Sequence, residues 1–497
     1  MKKMLLLVLL LGLPRTSTAE PYPLAGHWEG AVVRLGAVQP IEVDFREQEG
    51  KLSATVDVPE RGLVGMPAET VEYTPPTLRL KFLYGDAALR VDAETEEITG
   101  IIAAWEPDVR VHLKRAEAPA PDYREEEVRF PSGSLSLTGT LVQPLTPGPH
   151  PALVLVQGSA VNTQTEPRYR SQAVFFARHG FAALIYDKRP GYDETATFSD
   201  LADDAAAAVR YLKTRKDMDV RHLGLAGYSQ GGWLAPLAAS RLDGVAFLVL
   251  QVAPAVSVEE QEIQRVRFGM AAEGFSEEDV AHAAAYTRKV FDAAYRGADW
   301  AGLAAATEKA KGTNWAEQVQ LVTSPTDLEG WRRQRYDPAD VLRRTKIPVL
   351  VLYGAIDTLV PPAENADLMR RYLEEAGNRD VTIRIFPRAS HNLEWFGDLR
   401  TGTWSWPEGY WVWAKRAPGY AETVMGWLRA HLDLPPSSVR KLILEQPAVD
   451  RNGEQMPALR RMDLNVADPT AVGAPGGEIA RRGLPGGATV AAPEDAE

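Results

Sequence analysis

The chain contains no cysteine. That excludes disulfides, a thiol nucleophile, thiolate-ligated zinc and a lipid attached through an N-terminal cysteine. Histidine is scarce, with 8 in 497 residues, so imidazole chemistry has few possible owners. Long apolar runs are also missing. The one near the start, Met4 to Leu13, is too short for a bilayer, which takes about 20 residues, and no later stretch is long enough to span. Excess positive charge is missing as well: 67 acidic against 55 basic side chains leave a formal charge of −12. That argues against nucleic acid or an anionic membrane as the main partner.

What is present is a globular composition, 45% hydrophobic and 25% charged, spread over enough residues for two or three domains. Met1 to Ala19 has the parts of a secretory signal: Lys2 and Lys3, then the apolar run, then Ser17-Thr18-Ala19 as a small-residue cleavage site. The expectation is cleavage before Glu20 and a secreted or periplasmic mature protein with no stable membrane insertion. Residues 20–117 carry short alternating strands, among them Ile41 to Phe45, Leu52 to Val58, Leu78 to Phe82 and Val109 to Leu113, separated by Gly, Pro or acidic turns. They predict a small antiparallel β-barrel or sandwich. Its opening, Gly26 to Gly30, resembles lipocalin-like β-modules. His27 and His112 read as ordinary surface or edge residues rather than metal ligands.

Ala116 to Asp122, AEAPAPD, is a linker. From there to residue 434 the pattern becomes strand and helix in alternation. A hairpin (Val128 to Phe130 with Leu135 to Val142) comes first. Ala152 to Val156, Ala182 to Tyr186, Ala246 to Val252 and Val349 to Tyr353 are unbroken apolar runs, as strands buried on both faces require. Val381 to Phe386 is the last strand. The fold class predicted is α/β, a doubly wound, mostly parallel sheet with its site outside the carboxyl ends of the strands. Between about 254 and 340 the alternation gives way to helices, clearest over Glu277 to Tyr295, and this predicts a helical cap over the site. Residues 435–497 lose periodicity, and 467–497 are Gly/Pro/Ala-rich with almost no large apolar side chain, a composition that predicts disorder.

Gly227-Tyr228-Ser229-Gln230-Gly231 fits the nucleophile-elbow pattern G-x-S-x-G, with the strand Leu223 to Ala226 before it and a helix from Trp233 after it. Such a turn exposes the serine hydroxyl above a helix N-terminus. A serine hydroxyl needs a base to take its proton and an acid to orient that base. Asp357 follows the strand Val349 to Tyr353, and His391 follows Val381 to Phe386, so each stands on a strand-end loop. Downstream of Ser229 the other histidines are His282, in an Ala-rich cap helix, and His431, near the end of the last helix.

With these pieces in hand, the stretch from about Val128 to Leu432 resembles the α/β-hydrolase superfamily, most closely secreted esterase-like or prolyl-oligopeptidase-like hydrolases with an N-terminal β-domain. The motifs that carry the likeness are the elbow, Gly354 to Pro361 (Gly-x-x-Asp-x-x-Val-Pro) and Ser390-His391. Gln157 stands where the family usually has the His of His-Gly, and Asp187-Lys188-Arg189-Pro190-Gly191 has Pro190 where Gly is usual. The resemblance implies Ser229 as nucleophile, His391 as base and Asp357 as its orienting acid. It implies an oxyanion hole from the backbone N–H groups of Gln230 and Ser159, no cofactor and no metal, and a small acyl ester as substrate. Two other readings stay open: a serine exopeptidase or amidase of the same fold, and a non-catalytic exported ligand-binding protein. Trp395, Trp404, Trp406, Trp411 and Trp413 read as packing of a surface excursion or as an apolar wall for substrate.

Overall fold

The computed structural model describes residues 24–34, 37–82, 85–102, 108–160, 163–395 and 415–434. The expected signal segment, the tail from 435 and the tryptophans at 404, 406, 411 and 413 lie outside these residues.

The N-terminal part is one antiparallel sheet: β1 (Gly26–Arg34), β2 (Ala37–Gln48), β3 (Lys51–Val58), β4 (Leu63–Pro67), β5 (Thr70–Thr74), β6 (Thr77–Phe82), β7 (Gly85–Asp92), β8 (Glu97–Ile102) and β9 (Val109–Ala116). The order across it is β4-β3-β2-β1-β9-β8-β7-β6-β5. Its two edges are consecutive in the chain, and the link between them turns back along β3 and β6, where Ala68 N–H donates to the Ala54 carbonyl and Glu69 N–H to that of Lys81. The sheet therefore curls on itself. Alternation puts Trp28, Phe45, Leu78 and Leu89 inside, with Trp28 edge-on to Phe45 at 6.4 Å. β4 and β5 have no clear sequence signal, since β5 is half exposed along its length.

His27 is neither a surface nor an edge residue. β1 runs between β2 and β9, and His27 is buried with Nδ1 2.9 Å from Asp44 and Nε2 3.2 Å from Glu29. The Asp44 and Glu29 carboxylates hold its pKa up at about 10, and a protonated imidazole donating from both nitrogens has no lone pair for a metal. His112, on β9, is likewise largely covered, beside Glu97.

Residues 117–122 lead without regular structure into an eight-stranded mixed sheet. Its strands are β10 (Tyr123–Ser132), β11 (Leu135–Pro144), β12 (His150–Val156), β13 (Ala182–Tyr186), β14 (Met218–Tyr228), β15 (Phe247–Gln251), β16 (Val349–Gly354) and β17 (Val381–Phe386). The order is β10-β11-β13-β12-β14-β15-β16-β17, antiparallel at β10 and β11 and parallel thereafter. The unbroken apolar strands feed two cores at once. Ala152, Val154 and Val156 of β12 face one, Leu153 and Leu155 the other.

Helices α1 (Pro167–Arg178), α2 (Phe198–Thr214) and α3 (Gln230–Ala239) alternate with these strands. Between β15 and β16 come α4 (Val258–Ala272), α5 (Glu277–Arg296), α6 (Trp300–Ala310), α7 (Glu329–Arg333) and α8 (Ala339–Leu342). They include a cluster of their own, with Met270, Tyr286, Val290 and Leu303 buried, so the cap is a packed body and not a loop. α9 (Pro362–Glu375) lies between β16 and β17, and α10 (Tyr420–Leu432) closes the described chain. No helix among the described residues is long and apolar enough to cross a membrane.

Candidate active site

β14 ends at Tyr228 and α3 begins at Gln230, so one residue makes the turn. Ser229 has φ 52° and ψ −117°, a conformation that side chains other than glycine avoid and that costs about 1–3 kcal/mol. Two bonds hold it there: its N–H donates to the Gln251 carbonyl at the end of β15, and its carbonyl accepts from Gly232 N–H. The flanking glycines permit the close crossing of strand and helix. A Cβ at Gly227 would lie 2.2 Å from the Gly231 carbonyl oxygen, and one at Gly231 would lie 1.9 Å from that of Val156.

The loops after β16 and β17 meet this turn. His391 Nε2 is 3.0 Å from Ser229 Oγ, and His391 Nδ1 is 2.8 Å from Asp357 Oδ2. Asp357 Oδ1 accepts from the N–H groups of Leu359 and Val360, both at 2.9 Å. An Asp357 carboxylate facing Nδ1 requires a proton there, which leaves the Nε2 lone pair toward the serine hydroxyl. Asp357 is 3% and His391 5% exposed, so water competes little for these bonds. His282 and His431 lie elsewhere, on α5 and α10; His431 is bonded to the Trp427 carbonyl and Asp380.

The loop after β12 lies against the serine: a Cβ on Gly158 would be 3.3 Å from Ser229 Cβ. Gln157 ties this loop to the sheet, with Nε2 donating to the Tyr186 carbonyl at 3.0 Å. Gly158 N–H is taken by Tyr169 Oη at 2.7 Å, and burial pushes that phenol up to about 12. Ser159, next along, is exposed. Gln230 holds N1 of α3, where the helix leaves N–H groups without intrahelical partners.

The pattern of the sequence did not single out the shell around these groups. Tyr228 Oη lies 2.9 Å from both the His391 carbonyl and Asn392 Oδ1 and accepts from Arg168 at 2.7 Å. Its ring stands edge-on to the imidazole at 5.5 Å. Gln230 Oε1 accepts from Tyr192 at 3.0 Å and Lys188 at 3.2 Å, while its Nε2 reaches Gln334 of the cap at 3.1 Å. Tyr228 is the variable residue inside the elbow motif. That position faces β-strand neighbours and could have been flagged; Arg168 and Gln334 carry no motif.

Residues 148–395 match the family model described as serine aminopeptidase, S33. The esterase EstD of Thermotoga maritima is 26% identical over 336 residues, covering 64% of this chain and 72% of that protein. A non-heme haloperoxidase of Rhodococcus erythropolis is 26% identical over 235 residues, 45% of this chain and 80% of the other. Among solved structures, the Pyrococcus furiosus esterase Pf2001 covers 64% of this chain and 96% of its own at 16% identity and a TM-score of 0.39. The Anabaena variabilis dienelactone hydrolase covers 62% and 99% at 18% identity and 0.35. The chain is an α/β-hydrolase of the serine-hydrolase kind.

Proposed function

We infer that the protein is an exported serine hydrolase that cleaves carboxylic esters through an acyl-enzyme. The observation that carries this is the unbroken run Ser229 Oγ–His391 Nε2, His391 Nδ1–Asp357, at 3.0 and 2.8 Å. Ser229 attacks the acyl carbonyl as His391 takes its proton, and Asp357 stabilises the imidazolium that forms. The oxyanion is received by the N–H of Gln230, at the positive end of α3, and by that of Ser159. His391 returns the proton to the leaving alcohol, then draws one from water to release the acid. The relative named an esterase supports the ester as substrate. The apparent leader at Met1 to Ala19 supports export; a mature chain beginning at Glu20 by N-terminal sequencing is the expected result.

The description of the matched family favours a second reading, cleavage of an aminoacyl amide. The cations beside the serine weigh against it. Lys188 bonds Gln230, and Arg168 bonds Tyr228; Arg168, and Lys188 while it is protonated, would repel a substrate ammonium.

The test is Ser229→Ala on short p-nitrophenyl esters, with fluorophosphonate labelling of the parent. Activity should fall by about 10³–10⁶, and only the parent should label. Equal rates with and without Ser229 would sink the mechanism, and an unlabelled parent would leave the ligand-binding reading in its place. A panel of acyl esters against aminoacyl amides decides between the two enzyme readings.

A further inference from the structure

Lys188 is a partly buried cation beside the elbow that the proton relay leaves unused. Both its neighbours are pinned away from it. Asp187 accepts from Gln164 N–H at 2.7 Å. Arg189 pairs with Asp204 at 2.7 and 2.8 Å and with Asp200 at 3.1 Å. The turn that results sends the Lys188 side chain inward, over the Tyr192 ring at 3.7 Å. There its ammonium donates to the Gly158 carbonyl and, at 3.2 Å, to Gln230 Oε1.

Those two acceptors belong to the residues on either side of the serine. The Gly158 carbonyl is the far end of the peptide whose N–H is that of Ser159. The Gln230 side chain is anchored by Lys188 and Tyr192 on one side and by Gln334 on the other. A donor on a peptide oxygen orients that peptide and strengthens the dipole of its N–H, because successive hydrogen bonds polarise one another. A charged donor does so more than a neutral one.

We propose that Lys188 is a positioning residue of the oxyanion hole, its ammonium fixing and polarising the Gly158–Ser159 peptide while it anchors Gln230. This rests on the oxyanion donors assigned under the proposed function. The charge is not cancelled nearby: among the described residues no carboxylate forms an ion pair with Lys188. Asp204, which lines the same small cavity with Tyr186 and Leu201, is already held by Arg189 and by Ser132 Oγ at 2.5 Å. The other groups facing Lys188 are the Tyr192 phenol, the Gln230 amide and the Gly158 carbonyl. Burial brings the Lys188 pKa down to about 7. The cation is therefore present below that pH and lost above it, and its contribution to catalysis should follow.

The experiment compares the full-length parent with Lys188→Met and Lys188→Gln. It measures kcat, KM and kcat/KM on one p-nitrophenyl ester from roughly pH 5.5 to 9, with melting curves to show that each variant is folded. Lys188→Met should lose about tenfold to a hundredfold in kcat below pH 7, with KM little changed, and the deficit should shrink above pH 7. Lys188→Gln keeps a donor without the charge and should fall between, which also covers the case in which the Met variant does not fold. A variant within threefold of the parent throughout, or a deficit the same at every pH, overturns the role. Fluorophosphonate labelling of the parent separates the two levels. If the parent does not label, the serine assignment fails; if it labels and the Lys188 variants are indifferent, only the lysine's role fails.

Discussion

At the scale of single residues, the site depends on one proton being on the correct nitrogen. Asp357 supplies that selection twice over: Oδ2 faces His391 Nδ1, and Oδ1 is fixed by two backbone N–H groups. An amide in its place must still meet those two N–H groups with its oxygen. It then turns an NH₂ toward Nδ1, which reverses the imidazole tautomer and points a proton at the serine. Asp357→Asn is therefore expected to lower kcat by about 10⁴ with little change in KM. Stopped-flow acylation of the folded variant checks this, and a loss below tenfold would show that the carboxylate is not setting the tautomer. The residues next out act on geometry instead. Tyr228 Oη reaches the His391 carbonyl and is itself fixed by Arg168 and Asn392, so these three hold the loop that presents the ring.

At the scale of elements, the site exists because the carboxyl ends of four consecutive strands lie side by side. β14, β15 and β16 are adjacent and β17 follows, so Ser229, Asp357 and His391 sit on loops at the carboxyl ends of these parallel strands. That much was legible in the sequence, since each of the three is preceded by a strand-like stretch and stands on the Gly- or Ser-containing loop after it. The three side chains picked out in this way do meet in space. The spatial order was not legible, because β13 comes between β11 and β12 only through long-range pairing. Nor was the burial of His27, which rests on carboxylates from other residues of a strand pair rather than on its local pattern. The role of Lys188 was hidden for the same reason. Its partners are 30 and 42 positions away, and only the fold joins them. The elbow itself gives a sharp test of packing. Gly231→Ala would put a methyl 1.9 Å from the Val156 carbonyl oxygen, separating α3 from β12 at a cost of about 3 kcal/mol or more. Gly426→Ala, in α10, meets nothing within 4 Å and should instead stabilise by about 0.5–1 kcal/mol. Denaturant unfolding of the two variants should move their midpoints in opposite directions; a neutral Gly231→Ala would mean that the elbow is looser than its contacts imply.

At the scale of the whole molecule, the N-terminal sheet is seated on the hydrolase part beside the histidine loop. Val64 of β4 enters one of the hydrolase cores and its N–H donates to Ser171 Oγ of α1 at 2.8 Å. The turn just before β4 carries Glu60 and Arg61. Arg61 pairs with Glu394 at 2.8 Å, and Glu60 with Lys415 at 3.2 Å. Glu394–Trp395, three residues after His391, and Lys415–Arg416 are the paired strands β18 and β19, and Arg416 bonds the Asn392 carbonyl at 3.2 Å. The β-domain therefore braces the segment that carries the base, through a pair 333 positions apart in sequence and almost closed to water, with the two side chains 8% and 9% exposed. Removing one partner of such a pair strands a buried charge and costs about 3 kcal/mol or more, whereas replacing both with apolar side chains of similar size costs far less. Arg61→Ala should accordingly lower the melting temperature and kcat together, with KM less affected, because the loop that holds His391 is loosened. Arg61→Met with Glu394→Leu should recover most of the stability, and calorimetry of the parent, Arg61→Met, Glu394→Leu and the double variant closes the cycle that reads the coupling. If Arg61→Ala melts with the parent, the brace contributes nothing. If the double variant, which removes the Glu394 charge and refills the space of Arg61, melts no higher than Arg61→Ala, the charge left behind on Glu394 is not the cause of the loss.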